Sequence, residues 1–307
     1  MILLWGVPGD APLDAVYAAL QRRDVETQLL DQRAGAAMQV ELQVGRGGRL
    51  AGTIQNGAAA IDLAEVGAAY IRPMDTAKAC GTAAPTDPTF VAALAADTSM
   101  ITWSNLADAH VVNRPQAMAS NNSKPYQLAQ IAGFGFAVPD TLVTTDAAAV
   151  RTFCERHERV IFKSVSGVRS IVAQLAPQDS GLEDVANCPT QFQQYVPGED
   201  VRVHVVGERI LATRIVSDAS DYRYASRSGD DLAMAAVDLP PALAENCYAM
   251  TRGMDLQVSG IDLRHAPTGE WYCFEVNPSP GFTFFEAITG QPIAAAIADL
   301  LIHLADG

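Results

Sequence analysis

Apolar and polar positions along this chain follow two rhythms, and each predicts its own elements. Residues 2–7 form an unbroken apolar run, as expected of a strand buried on both faces. Residues 12–22 suit a helix and 25–30 a second strand. Residues 38–44 and 50–54 alternate with period two around Gly45, Arg46, Gly47 and Gly48, which reads as a hairpin. A short strand at 69–71 and a helix at 87–97 complete an α/β unit. From about residue 113 the texture changes, with a helix at 122–132, a strand at 136–143, a helix at 146–157 and a strand at 160–163. Strands then dominate, at 191–196, 201–206, 209–216, 258–264 and 270–276. A closing helix at 292–304 carries Ile293, Ile297, Leu300, Leu301 and Leu304 at helical spacing. The polar stretch 217–231 reads as a loop, and no internal repeat is visible. The fold class is α/β (α+β).

Length and charge narrow the function. A chain of 307 residues suits about two domains. Its formal net charge of -14 argues against nucleic acid and anionic membranes as partners, because tracking phosphates needs a basic surface. An anionic ligand must be drawn by a local cluster of cations. Five widely spaced Cys without a C-x-x-C pair read as reduced thiols, and the five scattered His form no metal-ligand pattern. The apolar N-terminus lacks a basic flank, and no apolar run reaches membrane length, so a cytoplasmic protein is expected. The first 113 residues carry neither a P-loop nor a dinucleotide fingerprint. A folding and oligomerisation module and a substrate-binding role both remain open for them.

The strongest chemistry lies in residues 259–277. Thr268 and Gly269 would close a tight hairpin, with Pro267 opposite Glu270, Leu263 opposite Phe274 and Ile261 opposite Val276 on one apolar face. The other face then carries Asp262 opposite Glu275, with Asn277 two residues further on. Facing carboxylates repel unless a positive charge lies between them, and hard oxygen ligands in this pattern suit Mg²⁺. The bland alternative is a solvated polar face. The rigid run Asn277, Pro278, Ser279, Pro280, Gly281 argues against that.

Other candidates are cations and a linker. The chain has three Lys against eighteen Arg. Lys124 follows the N-cap candidates Asn122 and Ser123 and precedes Pro125, while Lys163 ends an apolar strand before a small-residue loop. Each is a candidate phosphate ligand or a solvated surface residue. Gln193, Gln194, Tyr195 and Val196 lead into Pro197 and Gly198. Their backbone could meet an adenine edge, with Asp200 on ribose hydroxyls, or they could form a plain turn. Arg202 and Arg214 flank a turn at Gly207 and Glu208. A two-residue turn would place them on opposite faces, and a bulge or odd loop on the same face.

From residue 113 to the end these features resemble the ATP-grasp superfamily, with glutathione synthetase, protein-modifying glutamate ligases and graspetide synthetases as the nearest groups. The carrying residues are Gly260, Ile261 and Asp262 followed by Phe274, Glu275, Val276, Asn277 and Pro278. The resemblance implies an N-terminal pre-ATP-grasp domain over 1–113 and a two-subdomain ATP-grasp fold over 114–190 and 191–307. It implies Asp262, Glu275 and Asn277 as ligands of Mg²⁺ or Mn²⁺. Lys124 and Lys163 match its phosphate contacts, and Gln193, Gln194, Tyr195 and Val196 its adenine linker. Asp200 matches its ribose carboxylate, and Arg202 and Arg214 match arginines near the transferred phosphoryl group. Two departures stand out. The loop after Lys163 holds a single Gly, Gly167, and Gln193 replaces the Glu that often opens the linker.

The implied activity is an ATP-dependent ligase. A carboxylate becomes an acyl phosphate, and an amine or hydroxyl then displaces phosphate. The carboxylate sits on a small molecule or a peptide, the enzyme is a dimer by family habit, and 164–170 and 217–231 are candidate closing loops. Against it stand a catalytically silent nucleotide-binding regulatory protein and a metal-dependent carbohydrate- or anion-binding module.

Overall fold

The N-terminal apolar run forms β1 (Ile2–Gly6), buried along its whole length, in a parallel sheet of order β2-β1-β6-β7. The other strands of this sheet are β2 (Thr27–Asp31), β6 (Ala68–Arg72) and β7 (His110–Val112). Burial on both faces explains why β1 reads as continuous rather than alternating. Between β1 and β2 lies α1 (Ala11–Gln21), started by the Asp10 side chain accepting from the Leu13 N–H. The expected hairpin forms as β3 (Gln39–Val44) and β4 (Leu50–Asn56), with β5 (Ala59–Asp62) added at its edge. The computed structural model describes residues 1–48, 50–56, 59–164, 173–175, 180–217 and 232–307. Most of the two expected closing loops, 165–170 and 218–231, lies outside the described residues.

Two compact units emerge, and each has its own core. The first comprises residues 1–118, 255–258 and 281–307. It adds α2 (Thr76–Cys80), α3 (Pro88–Leu106), α4 (Pro115–Met118), and the later helices Thr283–Thr289 and Ile293–Asp306. One face of the parallel sheet, through Leu3, Trp5, Ala69, Ile71 and Val111, packs with Met100 and Trp103 of α3 and with Ile54 and Ile61 of the small antiparallel sheet. Helix α3 runs beyond the expected end at residue 97, to Leu106. Asp97 gives the sequence a polar break, yet it is buried, and one oxygen accepts from Gln32 Nε2 at 2.8 Å and Thr76 Oγ1 at 2.7 Å.

The second unit spans residues 119–254 and 259–280 and contains two sheets. It opens with α5 (Lys124–Ala132), followed by β8 (Thr141–Thr144), α6 (Ala147–Arg156), β9 (Val160–Ser164), β10 (Ala173–Leu175) and β11 (Thr190–Gln194). These strands form an antiparallel sheet of order β10-β9-β11-β8. The strand expected at 136–143 is corrected to Thr141–Thr144. Pro139 interrupts the run, and Ala137 forms only an isolated bridge to Tyr272. A second sheet has the order β14-β13-β12-β15-β16, built from β12 (Glu199–Val206), β13 (Arg209–Ser217), β14 (Leu232–Val237), β15 (Val258–His265) and β16 (Trp271–Asn277). Strand β14 and the helix α7 (Pro241–Gly253) have no counterpart in the sequence reading. No helix among the described residues is long and apolar enough to cross a membrane.

Burial raises the Asp97 carboxyl above its ordinary range, against the lowering effect of its hydrogen bonds from Gln32 and Thr76. The folded state therefore holds this proton more tightly than the unfolded chain. The resulting stability is present below the unfolded pKa and lost as pH rises through the folded one. Urea denaturation across pH, on wild type and Asp97→Asn, tests this. The wild type should lose stability relative to the variant as pH rises from the carboxylate range to neutrality. A gap that stays constant with pH would contradict the assignment.

Candidate functional site

The hairpin β15–β16 pairs Asp262 with Glu275, Ile261 with Val276 and Gly260 with Asn277, the register expected around the carboxylates. Beyond them the expected register is corrected. Leu263 faces Cys273 rather than Phe274, and Ala266 rather than Pro267 lies opposite Glu270, with a bulge after Asp262. The connection is a three-residue turn with Gly269 at φ 89°. One extra residue in the turn and one in the bulge offset each other, so the carboxylates still face across the ladder. Ile261, Leu263, Cys273 and Val276 are buried beneath them.

Arg202 lies on β12, next to β15 in the sheet. Its Nη1 donates to Asp262 Oδ1 at 2.6 Å, and its side chain is 6% exposed. A Cβ on Gly260 would stand 2.1 Å from Arg202 Nη2 and 2.7 Å from Pro280 Cβ. Gly260 is thus a gap that the guanidinium fills, and any larger residue there would force Arg202 and Pro280 to shift. Asp262, Glu275 and Arg202 together carry one net negative charge, and the Asn277 amide adds a neutral oxygen beside them. That oxygen accepts from the Ser279 N–H at 3.0 Å, which fixes the start of the Pro-rich run. The donor set is all hard oxygen with residual negative charge, and it fits a divalent cation.

The two arginines are separated. Strands β12 and β13 join through Gly207 and Glu208, with Val206 opposite Arg209 and no bulge. Arg202 therefore faces Thr213, and Arg214 faces Val201 on the opposite side of the sheet, where it is exposed. The structure brings Arg202 to the carboxylates and leaves Arg214 on the far face.

Two residues that sequence reasoning passed over hold this region in place. Strand β16 is an edge, so the Val276 main chain needs partners beyond the sheet. Gln127 on α5 supplies both: its Nε2 donates to Val276 O at 2.8 Å, and its Oε1 accepts from Val276 N at 3.0 Å. Lys124 precedes Gln127 by three residues, so both share one face of α5, and Lys124 is half-buried at the first helical position. Arg264 is the second. Its guanidinium donates to both oxygens of Asp200, at 2.8 and 3.0 Å, and to Val196 O at 2.8 Å. Its sequence signal is its parity with Asp262, two residues earlier on β15.

The linker is held from several sides. Gln194 N donates to Asp140 O at 2.9 Å and Tyr195 N to Arg159 O at 3.0 Å. The Arg159 guanidinium stacks 3.8 Å from the centre of the Tyr195 ring. Gly198 has φ 146°, and a Cβ there would meet His265 O at 2.2 Å, so the turn closes only with glycine. On the antiparallel sheet, Phe162 and Phe192 face the core with Val150 and Phe153. The other face carries Lys163, Gln191 and Gln193. Lys163 Nζ donates to Gln193 Oε1 at 3.2 Å, and Gln193 Nε2 to Thr141 Oγ1 at 3.0 Å. Gln191, opposite Lys163, is fully buried.

A family profile described as the RimK-like ATP-grasp domain matches residues 119–301. Beta-citrylglutamate synthase B of Danio rerio is 30% identical over 209 residues, which span 63% of this chain and 51% of that protein. The chain thus spans about half the length of the curated relatives it matches. Among solved structures, the ATP-grasp ligase PsnB complexed with a phosphomimetic variant of minimal precursor, Mg and ADP is similar over 99% of this chain and 98% of that one, at 26% identity and a TM-score of 0.82. The macrocyclase MdnC bound with precursor peptide MdnA, from Microcystis aeruginosa MRC, has the same fold at 22% identity, with a TM-score of 0.82 over 99% of this chain and all of that one. This chain belongs to the RimK-like ATP-grasp family, and its mixed α/β architecture is the ATP-grasp fold.

The Gln127 clamp yields a prediction. Gln127→Ala leaves the Val276 N–H and C=O without their partners and should cost about 3 kcal/mol in urea denaturation, taking each buried unsatisfied group at roughly 1–3 kcal/mol. A loss under about 0.5 kcal/mol, the size of an ordinary surface substitution, would show that the edge strand does not depend on it.

Proposed function

We propose that this RimK-like ATP-grasp protein is an ATP- and Mg²⁺-dependent ligase that activates a carboxylate as an acyl phosphate for capture by an amine or hydroxyl. The observation that carries the reading is the hairpin face that bears Asp262, Glu275 and Asn277, with the Arg202 guanidinium bound to Asp262. In this reading Asp262, Glu275 and Asn277 hold Mg²⁺ or Mn²⁺, which when bound offsets charge on phosphate oxygens.

The chain's own groups have separable tasks. Arg202 fixes Asp262, and its guanidinium is a group suited to anionic oxygens. Lys124 and Lys163 bring cations toward the phosphates. Gln193, Gln194, Tyr195 and Val196 line the base, and Asp200, held by Arg264, takes the ribose hydroxyls. Arg214 enters this scheme only through a substrate that reaches the opposite face of the β12–β13 hairpin. Phosphoryl transfer asks mainly for positioning and charge neutralisation, and the buried Arg202 packed over Gly260 is suited to that. A peptide carboxylate is our preferred group for activation. PsnB and MdnC, whose structures cover almost the whole chain, are described in complexes with precursors. We place the enzyme in the cytoplasm on the strength of its free thiols.

The test is ADP release with Mg²⁺ and a panel of acidic peptides and amino acids, on wild type and Glu275→Ala. Acceptor-dependent release should fall by at least about a hundredfold in the variant, the scale on which removal of a group aimed at transition-state charge is felt. Release that Glu275→Ala leaves unchanged would refute the reading.

A further inference from the structure

Gln191 is the least explained polar side chain of the described residues. It lies on β11 with no exposed surface, and both its Oε1 and its Nε2 lack a hydrogen-bond partner. A buried amide left unmade costs roughly 1–3 kcal/mol per group, so native proteins rarely keep one without a use. Its setting is specific. It pairs with Lys163 across the ladder and with Val143 on its other side. On the same face, Gln193 is committed to Lys163 and Thr141. The linker residues Gln194, Tyr195 and Val196 follow within five positions of the chain.

The chemistry of the orphan narrows what it meets. A carboxamide presents an acceptor and a donor side by side in one plane. Phosphate oxygens accept only, so they could satisfy Nε2 but not Oε1. The Lys163 ammonium donates only and could satisfy Oε1 but not Nε2. A group that answers both atoms carries a donor next to an acceptor. The 6-amino group and N7 of adenine are such a pair, and glutamine is the side chain whose amide matches that edge bidentately. Hypoxanthine, with a carbonyl at position 6, would set acceptor against Oε1.

We propose that Gln191 is a specificity-determining residue for the nucleotide base, accepting from the 6-amino group of adenine and donating to its ring nitrogen. The inference rests on the nucleotide-binding reading above. It assigns the selection of adenine over other purines to a side chain outside the linker. In the nucleotide-free protein the same amide is a local liability. Its replacement by an apolar residue of similar size should therefore relieve the fold while weakening recognition.

Thermal-shift titrations of the full chain with Mg²⁺ and either ADP or inosine diphosphate, on wild type, Gln191→Leu and Gln191→Met, test this. Wild type should be stabilised more by ADP. Both variants should melt at or above the wild-type temperature without nucleotide. Their affinity for ADP should fall roughly tenfold, about one neutral hydrogen bond, and their preference for ADP over inosine diphosphate should vanish. Variants that keep the wild-type preference would overturn the proposal and leave a buried water as the partner of the amide. Variants that melt well below wild type without nucleotide would overturn it in favour of a structural role. A wild type that neither nucleotide stabilises would overturn the nucleotide reading itself, a result distinct from failure at Gln191 alone.

Discussion

The bond from Arg202 Nη1 to Asp262 Oδ1, made across the space left by Gly260, is the interaction on which the rest of this site depends. Two carboxylates that face each other across a β-ladder repel, and repulsion between like charges directly opposite weakens a strand pair. Arg202 removes half of that problem from within the sheet. One negative charge remains among the three groups, directed to the side where Asn277 adds a neutral oxygen. In the proposed reading a divalent cation completes the neutralisation that these three described groups leave unfinished. The absence of a side chain at Gly260 matters as much as the presence of Arg202, since a single methyl would collide with the guanidinium.

Around that centre the unit is fastened by side chains, two of which, Gln127 and Arg264, bind main chain. Gln127 turns the free edge of β16 into a satisfied edge and brings α5 with Lys124 against the strand of Glu275 and Asn277. Arg264 ties the linker carbonyl of Val196 to Asp200, so one guanidinium holds the linker and the carboxylate beyond it. Lys163 and Gln193 form a third fixed pair on the other sheet. Positions set by rigid strands and satisfied backbone suit a reaction whose catalysis is largely geometric.

Local patterns made much of this legible. The carboxylate pair follows from period-two alternation and one turn, and it survives because the extra turn residue and the bulge at Phe274 act in opposite directions. The two-residue turn at Gly207 and Glu208 likewise carries its consequence, that Arg202 and Arg214 point apart. What the sequence hides are contacts between distant segments. Gln127 meets Val276 across 149 positions, and Arg264 meets Asp200 across 64. Gln127 has no signature in spacing, and the parity of Arg264 with Asp262 gives its face without naming its partner. Asp97 misleads in the opposite sense, because a buried carboxylate with two donors looks in sequence like a helix end. Pro139 is a signal that was present and outweighed by the apolar residues around it.

The most direct test of the central claim is crystallographic. Crystals grown with Mn²⁺ and ADP should show an anomalous difference peak flanked by the carboxylates of Asp262 and Glu275 and the amide oxygen of Asn277. The Arg202–Asp262 bond should persist beside it. Bound nucleotide with manganese absent from this face of the hairpin, or coordinated elsewhere, would contradict the account.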